Sequence, residues 1–180
     1  MTEEMNEAPF KAVDMSQFKR AYLDIPYADA HEREKLDLVL PDEGEGPFPV
    51  IVAVHGGAWK FRFKRADNIA GLFQAASQGY AVASVGYRLS SHAKWPAQVN
   101  DVKAAIRYLR NHAEEYHLDP ECVIVCGNSS GGHIAQTVAA TNDDIDFEDC
   151  LLGDCGDSSV QGCFSMYGVS DIYVCEHQTG

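Results

Sequence analysis

The sequence predicts an α/β fold, a mostly parallel sheet that opens with an antiparallel hairpin and carries helices on both faces. Three observations predict it. Short apolar runs that do not alternate recur along the chain, amphipathic stretches at helical spacing separate them, and an alternating pair of segments precedes them all.

An acidic leader takes up about the first twenty residues, and residues 21–180 read as one domain. The hairpin comes first. Tyr22 to Tyr27 and Lys35 to Leu40 flank a polar stretch from Asp29 to Glu34, and Leu36, Leu38 and Leu40 alternate. Val50 to Val54, Tyr80 to Val85 and Val123 to Cys126 are continuously apolar, as suits parallel strands covered on both faces. Between the first two, Ile69, Leu72, Phe73 and Ala76 recur at helical spacing and stop at Gly79, a residue suited to a left-handed C-cap. A second crossover helix begins after Pro96, with Val99, Val102, Ile106 and Leu109 on one face and Lys103, Arg107, Arg110 and Glu114 on the opposite, polar one. A third runs from Gly132 to Ala140, and Cys163 to Tyr167 reads as one more strand.

Between Asn142 and Asp157 lie seven acids and no basic residue, the composition of a solvated loop. Calcium is the sharper alternative, but an EF-hand loop needs Gly at its sixth position, and counting from Asp144 puts Asp149 there. The whole chain of 180 residues has 14 Lys and Arg against 27 Asp and Glu, a net charge of −13 that repels phosphate backbones and anionic lipid. A nucleic-acid partner is therefore not expected. The apolar run Val50 to Val54 is far short of the ~20 residues of a membrane span. The acidic start of the chain lacks the basic and apolar regions of a secretory signal. Six cysteines without a C-x-x-C pair point to reduced thiols, no zinc site and a cytoplasmic location.

The chemistry is concentrated in two motifs. Gly127-Asn-Ser129-Ser-Gly131 fits G-x-S-x-G and stands directly between a predicted strand and the helix that Gly132 opens. Such a turn strains the nucleophile, so Gly127 and Gly131 are expected for their lack of bulk, and the helix N-terminus offers a positive dipole end. Ser129 is the expected nucleophile; Ser130 as nucleophile would need Asn128 to be a glycine. The second motif, His55-Gly56-Gly57-Ala58-Trp59, follows the strand Val50 to Val54 and so falls on the same rim of the sheet. The backbone N–H groups of Gly57, Ala58 and Ser130 are the expected oxyanion donors. A plain glycine turn is the alternative reading of that loop.

On these motifs the chain resembles the α/β-hydrolase superfamily, within it the esterases similar to hormone-sensitive lipase, with their His-Gly-Gly-Gly loop and Gly-x-Ser-Ala-Gly-Gly elbow. The likeness runs from about Tyr22 to Asp171 and takes in Tyr87-Arg-Leu89, Trp95-Pro-Ala97 and Asp101. Ala58 stands for the third glycine and Ser130 for the usual alanine; both still donate an N–H. The loop His55 to Trp59 is also similar to that of kynurenine formamidases, which keeps amide substrates open.

The resemblance implies a serine carboxylesterase acting on a small-molecule ester, with no metal or organic cofactor. It also implies a triad acid and base on loops after the seventh and eighth strands. Only 51 residues follow Ser129, so the last strands, the acid and the base are expected beyond Gly180. A catalytically inactive or ligand-binding hydrolase-fold protein is the competing reading. Without the later strands, the last apolar run would form an open sheet edge prone to self-association. Asp171 and His177 have the right order but stand only six positions apart. His133 and His55 are expected to pack or brace locally, and Arg88 and Asp101 to form an ion pair. Lys60, Arg62, Lys64 and Arg65 read as a solvated loop, with attraction of an anionic substrate as the alternative.

Overall fold

The computed structural model describes residues 11–154 and 156–172. His177, Cys155 and Cys175 lie outside the described residues. The hairpin consists of β1 (Ala21–Pro26) and β2 (Lys35–Val39), paired antiparallel. It joins the sheet through an antiparallel contact with β4 (Ala81–Val85). β4, β3 (Phe48–Val54), β5 (Leu118–Asn128) and β6 (Gly162–Met166) are then parallel in that spatial order, giving β1-β2-β4-β3-β5-β6.

Pleating divides the core into two layers. Val50, Val52 and Val54 point into one layer with Val99, Val102, Ile106, Ile134 and Val138, which belong to α1 (Ala97–Asn111) and α2 (Ser130–Ala140). Ala53 and Val82 face the other layer, with Ile69 and Phe73. Met15 joins this second layer from within the acidic leader, whose Val13 N–H donates to the Arg65 carbonyl at 2.7 Å.

The crossover after β3 is helical over Asp67–Gln78, as read, but wound as 3-10 turns, and it buries Ile69, Phe73 and Ala76; the four-residue step from Ile69 to Phe73 suits 3.6 residues per turn, so the spacing did not point to this winding. Gly79 does cap it in the left-handed region, at φ 91°.

The polar face predicted for α1 is in part buried. Lys103 and Arg107 are both fully buried beneath the acidic segment. That segment is therefore strapped down rather than simply solvated. Lys103 Nζ donates to the Thr141 carbonyl (2.7 Å) and to Glu148 (2.8 Å). Arg107 donates to Glu148 (2.6 Å) and to the carbonyls of Asp149, Leu152 and Asp154. Asn142 closes the neck of the loop with two 3.0 Å bonds to the backbone of Val160. No group of three or more described His, Cys, Asp or Glu side chains could hold a metal ion.

The basic residues after the loop His55 to Trp59 are also paired. Lys64 and Arg65 both contact Asp24 and the fully buried Asp37, and Arg62 pairs with Asp67, while Lys60 is exposed. Hydrogen bonds from Lys64 and Arg65 hold the Asp24 carboxyl down to about 2. A buried carboxylate needs such partners, so this cluster serves the hairpin contact rather than forming a free cationic surface. Among the described residues no helix is long and apolar enough to cross a membrane.

Candidate active site

Both motifs lie where the parallel strands end. β3 and β5 are neighbours, and the last rung of their pairing sets Val54 opposite Gly127. The two loops that follow therefore leave the sheet side by side.

Ser129 has φ 52° and ψ −123°, between the last residue of β5 and the first of α2. A non-glycine residue in that region is strained and persists only where its surroundings over-determine it. Those surroundings are visible. Its N–H donates to the Met166 carbonyl at the end of β6 (3.0 Å), and its carbonyl accepts from His133 (3.0 Å). A Cβ at Gly127 would run into the carbonyl of Gly131, and one at Gly131 into the carbonyls of Val54 and His55. The glycine spacing is thus a steric requirement of the turn. Ser129 is half-buried while Gly127, Asn128, Ser130 and Gly131 are buried. Gly132 is equally constrained, since a Cβ there would meet the Ser165 hydroxyl at 2.8 Å and Gly168 at 2.9 Å.

The loop after β3 turns through three successive positive φ values, 132° at Gly57, 51° at Ala58 and 58° at Trp59. The Gly57 carbonyl accepts from the N–H groups of Lys60 and Phe61, both at 2.9 Å. Among the described residues no acceptor meets the amides of Gly57 or Ala58. His55 is fully buried under this loop, its Nδ1 2.9 Å from the Gly56 carbonyl and its ring stacked 4.3 Å from Tyr87. Tyr87 in turn donates its hydroxyl to the His55 carbonyl at 2.8 Å. Burial pushes the His55 imidazole down to about 3, so it stays neutral under the loop.

Asn128 was not singled out by the sequence, where it is only the variable position of the motif. It is buried at 2% exposure and makes four hydrogen bonds. Its Oδ1 accepts from the Gly56 N–H (2.8 Å) and the Asn68 amide (3.3 Å). Its Nδ2 donates to the Asn68 carbonyl and the Tyr167 hydroxyl, both at 3.1 Å.

One helical turn below Ser129, His133 packs edge-on to Trp59 (5.3 Å) and against Trp95 (4.9 Å), and burial lowers its pKa. It is a packed ring, as expected. The Ser90 N–H donates to the Trp59 carbonyl (2.8 Å), which ties the loop after β4 to the same wall. Arg88 forms the expected pair with Asp101, at 2.5 Å, and adds buried Glu34 at 3.0 Å. Burial raises both carboxyls.

Ser129, Gly57, Ala58 and Ser130 thus come together at one strand-end rim, with Gly56 and Asn128 between the loops. Among the described residues no side chain hydrogen-bonds the Ser129 hydroxyl, and Asp171 is exposed. Cys122, Cys126 and Cys163 are free thiols.

The BD-FAE family model matches residues 36–180. Esterase LipQ of Mycobacterium tuberculosis is 32% identical over 151 residues, which cover 83% of this chain and 35% of that protein. Kynurenine formamidase of Danio rerio is 29% identical over 121 residues, 67% of this chain and 39% of that protein. A solved structure titled as a truncated form of carbohydrate esterase from gut microbiota superposes with TM-score 0.72 at 30% identity, covering 85% of this chain and 58% of that one. The chain spans about a third of the length of the first curated relatives it matches.

Proposed function

This chain belongs to the BD-FAE family of the α/β-hydrolase class, and from that premise we propose that Ser129 is the nucleophile of a carboxylester hydrolase. One observation carries the reading: a strained serine at φ 52° stands on the turn into α2, beside a loop whose Gly57 and Ala58 amides have no acceptor among the described residues. In this reading the Ser129 oxygen attacks the carbonyl carbon of a small-molecule ester, and the carbonyl oxygen becomes an oxyanion. The N–H groups of Gly57, Ala58 and Ser130 receive it, and the α2 N-terminus adds its dipole. The Ser129 proton passes to a general base and from there to the departing alkoxide. Water then cleaves the acyl-enzyme and restores the serine. The base is assigned to a residue outside those described. A cytoplasmic location belongs to the same proposal and draws on the unlinked thiols of Cys122, Cys126 and Cys163.

The test is active-site labelling of the full-length protein with a fluorophosphonate. Wild type and Ser130→Ala are expected to label and Ser129→Ala not to; a labelled Ser129→Ala protein moves the nucleophile elsewhere. Amide hydrolysis is the second reading, favoured by the Ala58-Trp59 pair and by the formamidase relative. We rank esters first, so kcat/KM for p-nitrophenyl acetate should exceed that for N-formylkynurenine; the reverse order reverses the ranking.

A further inference from the structure

We propose that Asn128 is a positioning residue that sets the oxyanion loop relative to the nucleophile. The inference rests on the reading of Ser129 as nucleophile and names what aligns the donors facing it. Asn128 immediately precedes Ser129, so its backbone is part of the elbow, while its side chain reaches across to the neighbouring loop and accepts the Gly56 N–H at 2.8 Å. Gly56 immediately precedes the donors Gly57 and Ala58. One hydrogen bond therefore joins the residue before the nucleophile to the residue before the oxyanion donors.

The site around this bond is built for an amide. Asn128 is 2% exposed, and its four partners use both lone pairs of Oδ1 and both hydrogens of Nδ2. The Asn68 carbonyl requires a donor and the Gly56 N–H an acceptor, so the amide has one orientation. No Cβ is tolerated at Gly56, since it would stand 2.7 Å from the Asn128 carbonyl and 3.0 Å from its Oδ1. Loop and elbow are thus in direct contact on one side and hydrogen-bonded on the other. Gly57, Ala58 and Trp59 all hold positive φ beyond this anchor, a conformation that the chain would relax without it.

The consequence is a role in kcat rather than in substrate binding. A donor displaced by about 1 Å, or lost, costs on the order of 10²-fold in rate. Asn128→Leu keeps the branched shape of the side chain and removes the acceptor together with the two donors. In the full-length protein it is expected to lower kcat for p-nitrophenyl acetate by about 10²-fold and leave KM within about threefold. It should also weaken a trifluoromethyl ketone, whose serine adduct places an oxyanion in the hole, by the same factor as kcat/KM.

Asn128→Asp separates positioning from mere cross-linking. It keeps an acceptor for Gly56 but loses the donors to Asn68 and Tyr167. Positioning predicts kcat within about tenfold of wild type for Asp; cross-linking predicts that Asp falls as far as Leu. If the Leu variant does not fold, a folded Asp variant decides the matter alone, a loss of 10²-fold or more overturning the proposal. An unchanged kcat in a folded Asn128→Leu protein, or an effect confined to KM, also overturns it. Ser129→Ala is the control for the parent reading: if that variant keeps esterase activity, the nucleophile assignment has failed and not the role of Asn128.

Discussion

A Cβ at Gly131 would stand 2.5 Å from the carbonyl oxygen of His55, so the elbow helix and the oxyanion loop touch backbone to backbone. No side chain in that contact can rotate away to relieve a clash. The start of α2 and the end of β3 are consequently one mechanical unit.

Gly131→Ala forces either α2 or the His55 carbonyl to move. Overpacking of this kind costs about 1–3 kcal/mol of stability, and displacement of the oxyanion donors should lower kcat by about 10²-fold. Chemical denaturation and steady-state kinetics on the full-length protein check both figures. A variant with wild-type kcat would show that the contact is slack.

His55 predicts a pH dependence of stability. Unfolded, its imidazole titrates near 6.5; folded, burial holds it down to about 3. Between those values the unfolded state binds the extra proton, so the contribution is fully present above about pH 6.5 and is lost as pH falls toward 3. Each unit inside the window costs about 1.4 kcal/mol. The raised carboxyls of Glu34 and Asp101 act in the opposite direction, so the comparison must be internal. From pH 6.5 to 5, wild type should lose about 2 kcal/mol more unfolding free energy than His55→Gln. Equal slopes for the two proteins would remove His55 from the account.

Arg107 predicts how the acidic loop is kept. Its guanidinium is fully buried and serves Glu148 and three carbonyls. Arg107→Met leaves those acceptors without donors and Glu148 with Lys103 as its remaining cation, a loss of about 3–5 kcal/mol by the usual cost of breaking a buried pair. Limited proteolysis should then cut between residues 142 and 157 before anywhere else in the described chain. Cleavage elsewhere first would place the weak point outside the strap.

The strands and the elbow were legible because their signals are local. A run such as Val50 to Val54 declares its own burial, and the glycines at 127 and 131 mark a turn that tolerates nothing larger. The buried ionic groups were not legible. Lys103 and Arg107 look like the wet face of a helix until Glu148, some forty residues away, is seen to cover them, and Lys64 and Arg65 look free until Asp37 is found beneath them. The 3-10 winding of Asp67–Gln78 was hidden for another reason, since the mixed steps of four and three from Ile69 through Phe73 to Ala76 are those of an α-helix. Asn128 escaped because its importance lies in reach: an amide one residue before the serine is ordinary until the loop it touches is known.

The rung that sets Val54 opposite Gly127 bears on how such a protein can be re-engineered. Because two ordinary interior strands fix where each loop departs, the spacing between Ser129 and the Gly57 and Ala58 amides is inherited from the sheet, like the gauge of a railway. Residues 60–63 can be exchanged for a relative's version to alter what the rim accepts, provided the sleepers, Gly56, Asn128 and Gly131, and the Lys64 and Arg65 that pair with buried Asp37 are left in place.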